Sequence, residues 1–385
     1  MHTIPSLVAG SAVPVNKHGM LGVSPGGVVP PVGDPSGWKQ IGYTELASSN
    51  NEIVVSSIDN YPYLKVLIYV KGTTGSTDNV DVQFNGDSSG NYAFDYAINE
   101  NATAQSINVT QGWKIKFNQL GGTPSEPVWC VLDIMNYATE EKLGMATSVT
   151  SANPNSASDA VQSQRTYAKW ANTANVIDEI RVYHQNASTD LLAGSEVVVL
   201  GFDPSAPTGT NFFEELASVN LSGGASQTLD TPQFTPKKYL WVEWLSDDPK
   251  QAVHYGGQPE TLIGSGGTIL TASDYSFRTN KDNQSDTRTS QGRWGTWTGT
   301  SADSGDTFCN SYIVNPDGAT KWIVQRSGGF GLPTSAVTYV AFQRLAGLCL
   351  QTNQIDIVRL TDVDAGAGVY QQTPSQMIVW GGDPS

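Results

Sequence analysis

Few side chains in this sequence have the types and spacing that enzymatic chemistry requires. The four histidines, His2, His18, His184 and His254, lie far apart, and none stands in an HExxH or other metal-ligand spacing. The sequence contains no P-loop and no Rossmann glycine fingerprint. Adjacent acids such as Glu140-Glu141 are more typical of solvated turns than of a glycosidase pair, which needs two carboxylates about 5 to 9 Å apart in a cleft. The sequence therefore predicts a protein that is not an enzyme, with no catalytic residues and no cofactor.

Oxygen ligands for Ca²⁺ occur in two short segments, Asp78-Asn79-Val80-Asp81 and Asn85-Gly86-Asp87. Neither segment has the spacing of an EF-hand loop, and Asn-Gly is first of all a signal for a tight hairpin turn. We therefore predict no metal site.

Tryptophan is the residue type most able to make a ligand contact here, because aromatic rings stack on sugar faces. Of the ten tryptophans, Trp129, Trp241 and Trp380 stand within apolar segments that read as strands and are expected in the core. Trp294 and Trp297 lie in a polar stretch, rich in Gly, Ser and Thr, that runs from about Asp247 to Asp306. These two are the candidate exposed ligand contacts, since long loops on a rigid scaffold often carry recognition surfaces.

The scaffold that holds these side chains is predicted to be all-β. The chain has 39 Gly, 20 Pro and only 15% charged residues, and short apolar segments alternate with Gly, Asn, Asp and Ser clusters. Many short strands at this spacing indicate antiparallel β-sandwiches of jelly-roll type. The net charge of −15 argues against nucleic acid as a partner. The three cysteines fit no disulfide framework or zinc spacing and are expected to be buried thiols.

A tandem duplication sets the domain organisation. Ser195 to Ser205, SEVVVLGFDPS, is echoed by Ser375 to Ser385, SQMIVWGGDPS. Further echoes occur in the same order: Trp129-Cys130 with Phe308-Cys309, Ile177 to Val182 with Ile355 to Leu360, Tyr63-Leu64 with Tyr239-Leu240, and Glu45 to Ser48 with Glu215 to Ser218. We therefore predict a β-sandwich domain over residues 38–203, a linker over 204–211 and a second β-sandwich domain over 212–385.

Residues 1–37 are predicted to form an extended N-terminal arm. Its proline and glycine content excludes regular helix or central strand. It nevertheless carries more aliphatic residues than a polar linker would, which indicates that it lies against another surface. The expected assembly residues of the arm are Ile4, Leu7, Val8, Val13, Val15, Leu21, Val28 and Val29. Pro5 interrupts any secretory signal, and no apolar stretch reaches the length of a membrane span, so synthesis in the cytoplasm without membrane insertion is expected.

One set of motifs resembles a known family. Tyr63-Leu64-Lys65-Val66 is followed by Phe84-Asn85-Gly86-Asp87-Ser88-Ser89-Gly90-Asn91-Tyr92, and then by Ile134-Met135-Asn136-Tyr137-Ala138, Trp170-Ala171-Asn172-Thr173 and Leu192-Ala193-Gly194-Ser195. This order resembles a β-sandwich module of tailed-bacteriophage structural proteins, which occurs in tail fibres, appendages and capsid-surface proteins. In the second unit, Tyr275 to Asn280 stands where the FNGDSSGNY segment should fall, and Arg344 to Gly347 stands where the Trp-x-Asn-Thr segment should fall. Only the architecture is therefore expected to be shared.

The resemblance implies a non-enzymatic virion protein, either a capsid decoration subunit or an appendage attached to the head or tail. Its partners would be other capsid or tail proteins, bound through the N-terminal arm, and further copies of itself in a homo-oligomer. The alternative is a carbohydrate-binding or receptor-binding adhesin, such as a tail-fibre module, with a host surface glycan as ligand. The virion is the expected location in both cases.

Overall fold

The structure is a computed structural model that describes residues 37–72, 80–98, 112–116, 127–151, 153–159, 161–185, 190–205, 210–222, 226, 228–247, 259–271, 273–281, 284–291, 294, 307–330, 340–362 and 372–385. Within these ranges the regular secondary structure is entirely β, without a helix. The N-terminal half contributes β1 (Lys39–Glu45), β2 (Glu52–Ser56), β3 (Tyr63–Lys71), β4 (Val80–Phe84), β5 (Tyr92–Ile98), β6 (Trp113–Lys116), β7 (Pro127–Met135), β8 (Lys142–Thr150), β9 (Gln162–Trp170), β10 (Glu179–His184) and β11 (Glu196–Phe202).

The C-terminal half contributes the remaining strands, which are β12 (Glu214–Asn220), β13 (Thr228–Asp230), β14 (Tyr239–Asp247), β15 (Pro259–Ser265), β16 (Thr268–Ile269), β17 (Tyr275–Lys281), β18 (Gln284–Gln291), β19 (Thr307–Val314), β20 (Lys321–Phe330), β21 (Val340–Cys349), β22 (Ile357–Asp362) and β23 (Gln372–Gly382). Because the described residues contain no helix, none is present there that could cross a membrane.

Each half pairs a large antiparallel sheet with a small one. The large N-terminal sheet has seven strands in the order β1-β11-β3-β7-β8-β9-β5, and the small one has the order β2-β10-β4-β6. The large C-terminal sheet has eight strands in the order β12-β23-β14-β19-β20-β21-β17-β18, and the small one has the order β13-β22-β15-β16. The first strands of each half alternate between its two sheets, as strands of a jelly roll do, whereas β7 to β9 and β19 to β21 follow one another within the large sheet. The predicted fold class, two tandem antiparallel β-sandwiches of jelly-roll type, is confirmed, whereas the arm before them lies outside the described residues.

Alternation of side chains along the strands builds the core of each sandwich. On β10, Ile180 and Val182 are buried, while Arg181 points to the other face and pairs with Glu52 on β2. In the N-terminal core, Phe84 packs edge-on against Trp113 at 4.6 Å between ring centroids and tilts against Trp170 at 5.5 Å. The contact with Trp170, which lies on β9, ties the small sheet to the large one.

The two large sheets also face each other, so that four sheets are layered. Residues from both halves form one further apolar cluster, which includes Tyr69, Trp129, Tyr239, Trp241 and Trp322. The rings of Trp129 and Tyr239 lie 5.6 Å apart, and the indole of Trp129 donates to the backbone oxygen of Tyr312. This explains why β3 is buried on both faces over most of its length, with a pattern that a half-exposed strand would not show.

Strand pairing supports the internal duplication residue by residue. Asn136 is buried after β7, where its side chain donates to the carbonyl of Tyr61 and accepts from the amide of Ile177. The equivalent residue is Asn315, which is buried after β19 and makes the same two bonds with Lys237 and Ile355. Two buried lysines are likewise equivalent, since Lys142 and Lys321 both donate to backbone carbonyls.

Three details of the sequence alignment are wrong. In the β1–β11 and β12–β23 pairs, Glu45 faces Glu196 and Asn220 faces Gln376, so Glu45 is equivalent to Asn220 and the match of Glu45 to Ser48 with Glu215 to Ser218 is out of register. Tyr275 faces Cys349 as Tyr92 faces Trp170. Tyr275 is thus the counterpart of Tyr92, which ends the FNGDSSGNY segment and does not begin it. Cys349 is the counterpart of Trp170, so the Trp-x-Asn-Thr segment corresponds to residues that begin at Cys349 and not at Arg344, five positions earlier.

Candidate functional site

The FNGDSSGNY segment forms the connection between β4 and β5, and its side chains make hydrogen bonds that fix the shape of this connection. Asn85 and Gly86 both have positive φ, at 51° and 62°, as the tight turn predicted for Asn-Gly requires. The side chain of Asn85 accepts from the amides of Asp178 and Glu179, and the hydroxyl of Tyr92 bonds the backbone of Phe84. The motif therefore holds the end of β4 against the start of β10 and β5.

Asp87 is the anchor of this connection. Its carboxylate accepts hydrogen bonds from the amide of Ser89, the side chain of Asn91 and the indole of Trp170. Partial burial opposes ionisation of Asp87, but these donors outweigh it and lower its pKa to about 2. Both carboxylate oxygens thus have protein donors, which gives Asp87 a structural role in this connection.

The same segment contains the G-x-S-x-G spacing of a hydrolase nucleophile elbow, in Gly86-Asp87-Ser88-Ser89-Gly90. That elbow is a sharp turn from a strand into a helix, which exposes the serine above a sheet. Here the segment joins two strands, β4 and β5, that belong to different sheets. The spacing consequently lacks the structural context that would activate a serine.

Trp294 is not an exposed ligand contact, and that prediction is wrong. The residue is fully buried in the C-terminal core, edge-on to Tyr275 at 5.4 Å, and its indole donates to the carbonyl of Leu348. An isolated bridge to Thr261 draws it onto the edge of β15. This bridge corresponds to the pairing of Trp113 with β4 in the first half, so Trp294 is a core tryptophan inherited through the duplication. Trp297 and the eight assembly residues predicted in the arm lie outside the described residues.

The most distinctive surface feature is an apolar groove at one end of the large N-terminal sheet. Its volume is about 540 Å³. Aromatic rings form one wall, since the rings of Trp38 and Phe202 lie 5.5 Å apart and Tyr63 lies 6.2 Å from Phe202. The ends of β7 and β8 form the floor. The residues that line the groove are Trp38, Tyr63, Leu64, Asp133, Ile134, Met135, Leu143, Gly144, Met145, Phe202 and Pro204.

The exposed apolar side chains of the described residues gather at this groove. Met135, Leu143, Tyr137 and Tyr167 have exposed fractions of 41%, 47%, 38% and 40%. Met135 on β7 faces Leu143 on β8, and Tyr167 on β9 faces Met145 on β8. The ring of Tyr137 lies edge-on to that of Tyr63, with the centroids 5.7 Å apart. A continuous apolar surface of this kind marks a binding surface more often than a chance exposure.

A partly buried ion pair lies at the groove, between the buried Lys65 and Asp133, which is among the residues that line it. Lys65 on β3 donates to Asp133 on β7, and its ammonium also lies 5.0 Å from the ring of Trp38 and 4.7 Å from that of Tyr312. Burial opposes the charged form of Lys65, but Asp133 and Tyr312 together raise its pKa above the ordinary value. Arg326 approaches Asp133 to 3.7 Å from the other half of the chain. The carboxylate of Asp133 is thus paired with Lys65 and Arg326, and the other residues that line the groove are mainly apolar.

The groove offers an apolar surface for contact but few side chains that could take part in a reaction. Its one acidic side chain, Asp133, is engaged by Lys65. Among the described residues, no group of three or more His, Cys, Asp or Glu side chains is arranged to hold a metal ion. The sequence did not predict the groove, because its walls come from segments far apart in the chain. The apolar runs on β3 and β7 indicated burial alone.

The fold therefore defines an all-β protein built from two jelly-roll sandwiches. No family model and no curated protein matches the chain. Among solved structures, domains LG4-5 of the mouse laminin alpha1 chain share 10% identity over 91% of each chain, with a TM-score of 0.18. The structure of CghA shares 10% identity over 75% of this chain and 88% of its own, with a TM-score of 0.11. Both scores are too low to support any statement about function.

Proposed function

We propose that this protein is a non-enzymatic structural subunit of a phage virion, either a capsid decoration protein or an appendage of the head or tail. The observation that carries the proposal is the exposed apolar surface at the groove. A soluble protein that keeps Met135, Leu143 and Tyr167 exposed on one face gains stability by covering them, and assembly into a larger particle would cover them. The resemblance of the motifs in the N-terminal half to those of tailed-bacteriophage structural proteins is the reason to propose a virion as that particle.

The N-terminal arm is proposed as the attachment to a capsid or tail neighbour. It carries aliphatic residues throughout, and it enters the described structure at Trp38, on the wall of the groove. Self-association in a homo-oligomer of cyclic symmetry accompanies this attachment, as is common for high-copy subunits.

The arm can be tested by deletion. A chain lacking residues 1–36 should remain soluble and keep the β-rich circular dichroism of the full chain, because the described sandwiches begin after it. It should no longer be recovered with particles when it is supplied to a phage strain whose own copy of the gene is deleted. Normal incorporation of the truncated chain would show that the arm is not the attachment.

A host glycan is the second candidate ligand, favoured by the aromatic wall of the groove. Trp38, Tyr63 and Phe202 present rings of the kind that stack on sugar faces. A glycan array probed with the full chain and with Tyr63→Ala tests this role. Binding by the wild type that is lost in the variant would favour the adhesin, whereas no binding by either would leave the groove to a protein partner.

A further inference from the structure

The contact between the two large sheets is made by non-equivalent surfaces. We define strip A as Tyr69, Trp129, Val198 and Leu200 in the N-terminal half, with the equivalents Leu245, Phe308, Ile378 and Trp380 in the C-terminal half. We define strip B as Tyr63, Met135, Leu143 and Met145 in the N-terminal half, with the equivalents Tyr239, Val314, Trp322 and Val324 in the C-terminal half. The equivalences follow from matching strand pairs in the two halves.

Burial separates the four strips into two pairs. The N-terminal strip A and the C-terminal strip B are buried against each other, and none of their residues is more than 3% exposed. The N-terminal strip B lines the groove, where Met135 and Leu143 are exposed at 41% and 47% and Tyr63 and Met145 are half-buried. All four residues of the C-terminal strip A are only half-buried. One strip of each type is thus buried within the chain, and one of each type stays partly exposed, although Trp380 at the edge of the C-terminal strip A also packs against the cluster between the halves.

A partly exposed strip A on the C-terminal half and a partly exposed strip B on the N-terminal half are what a heterologous interface leaves behind. We propose that copies of this chain associate head to tail, with the C-terminal strip A of one copy packed on the N-terminal strip B of the next. The contact repeats between chains the packing already present inside each chain. This inference rests on the proposed structural role and specifies the surfaces through which the subunit would assemble. Depending on the rotation between copies, the result is a closed ring or an open filament.

The internal contact identifies the residues that should meet between copies. Inside the chain, the ring of Trp129 in strip A packs against that of Tyr239 in strip B, with the ring centroids 5.6 Å apart and the planes tilted by 32°. Their equivalents are Phe308 and Tyr63, so Phe308 of one copy should lie against Tyr63 of the next. Space is available beside Phe308: Gly328, the equivalent of the buried Val149, has nothing within 4 Å of where a Cβ would stand.

The contact between copies should be weaker than the internal one. Inside the chain, the buried carboxylate of Glu196 accepts from the hydroxyl of Tyr239 and from Lys238, both at 2.6 Å. The equivalents of Glu196 and Lys238 are Gln376 and Pro62, which form no ion pair. Loss of a buried, charge-assisted hydrogen bond lowers affinity, and two separate chains lack the tether that joins the halves of one chain. Association should therefore be reversible and depend on protein concentration.

Site-directed cross-linking of full-length chains tests the register of this contact. One preparation carries Tyr63→Cys and the other Phe308→Cys, and the two are mixed with a short bis-maleimide. The three natural cysteines are buried and serve as background in the wild type. We expect a cross-linked dimer that forms at least tenfold more in the mixture than in either preparation alone. A chain carrying both substitutions should give a ladder of higher species or one closed ring.

The controls separate failure of this inference from failure of the proposed function. Ser88→Cys, on the exposed connection between β4 and β5, replaces Tyr63→Cys in a matched mixture and should give only background. Dimers that form equally within one preparation would indicate a symmetric contact and overturn the inference, as would no dimer in any mixture. The mixture could stay monomeric while the wild type still joins virions and the Leu143→Asp variant does not. That result would overturn the head-to-tail contact but keep the virion role, with another virion protein covering the groove. Specific cross-linking by a protein absent from virions would instead contradict the virion role.

Discussion

At the scale of single residues, the equivalent asparagines Asn136 and Asn315 link each large sheet to the segment that precedes β10 in one half and β22 in the other. Each side chain is buried and fully used, with one bond given to a backbone carbonyl and one accepted from a backbone amide. Removing such a side chain leaves a buried donor and a buried acceptor without partners. Each asparagine therefore holds the end of a strand of the large sheet to two other segments of its half.

Asn136→Ala and Asn315→Ala should each lower the free energy of unfolding by about 2 kcal/mol or more. Asn353→Ala, at an exposed position in the C-terminal half, is the matched control and should change it by less than about 0.5 kcal/mol. Urea denaturation followed by tryptophan fluorescence measures both. Equal effects in the buried and exposed variants would contradict the assigned role.

Asp87 predicts a specific acid sensitivity. Its folded-state pKa is lowered to about 2 from an ordinary value near 3.8, so the ionised form stabilises the fold above that ordinary value. This stabilisation should be lost as the pH falls from about 4 to about 2, where the folded-state carboxylate takes up its proton. Asp87→Asn should be less stable than the wild type at pH 6, and the difference should shrink over that window.

The measurement is the free energy of unfolding at several pH values for the wild type, Asp87→Asn and the control Asp95→Asn, whose carboxylate is exposed on β5. A difference between wild type and Asp87→Asn that stays constant from pH 6 to pH 2 would show that the hydrogen bonds to Asp87 do not favour its ionised form.

At the scale of elements, apolar strands and Asn-Gly turns could be predicted, and features set by distant contacts could not. The run Tyr63–Lys71 was recognisable as a strand from its aliphatic residues alone. Strand β1 could not be predicted in the same way, because its sequence KQIGYTE has few aliphatic residues and a glycine at its centre. That glycine, Gly42, is required since a Cβ there would lie 2.5 Å from Val55 on the opposite sheet.

Trp294 is a second case in which contacts distant in the sequence decide burial. Polar neighbours in the sequence favoured exposure, yet the single bridge to Thr261 places the ring in the core. The signal that could have corrected this was its counterpart Trp113, which also follows the buried tyrosine of its half. The unequal loops of the two halves hid that equivalence from the sequence alignment.

Gly144 on β8 tests how closely the sheets of the N-terminal sandwich pack. A Cβ at this position would lie 2.4 Å from the ring of Trp113, which is itself buried. Gly144→Ala should therefore displace Trp113 and lower the free energy of unfolding by about 1–3 kcal/mol. Gly328→Ala, on a strand of the other large sheet and with open space around the same atom, should change it little. Similar losses in both variants, measured by thermal or urea denaturation, would mean that chain flexibility and not the contact with Trp113 is responsible.

At the scale of the whole molecule, the duplication was visible in the sequence, but its consequence was not. The echoes predicted two similar units, and equivalent strands do occur in the same order in both. What the sequence could not show is that the units pack through different strips of the same face. Leu143 and Trp322 are equivalent by strand register, yet one is 47% exposed and the other fully buried. That asymmetry arises from the packing of the halves, and it is the physical basis of the proposed assembly.

The most direct measurement of the central claim, that the exposed face of the large N-terminal sheet is an assembly surface, is sedimentation velocity of the full chain over a wide concentration range. The wild type should sediment faster as its concentration rises, and Leu143→Asp should remain a monomer with an unchanged circular dichroism spectrum, because this side chain is already exposed. A wild type that stays monomeric at every concentration, or a Leu143→Asp variant that associates as strongly as the wild type, would contradict the account.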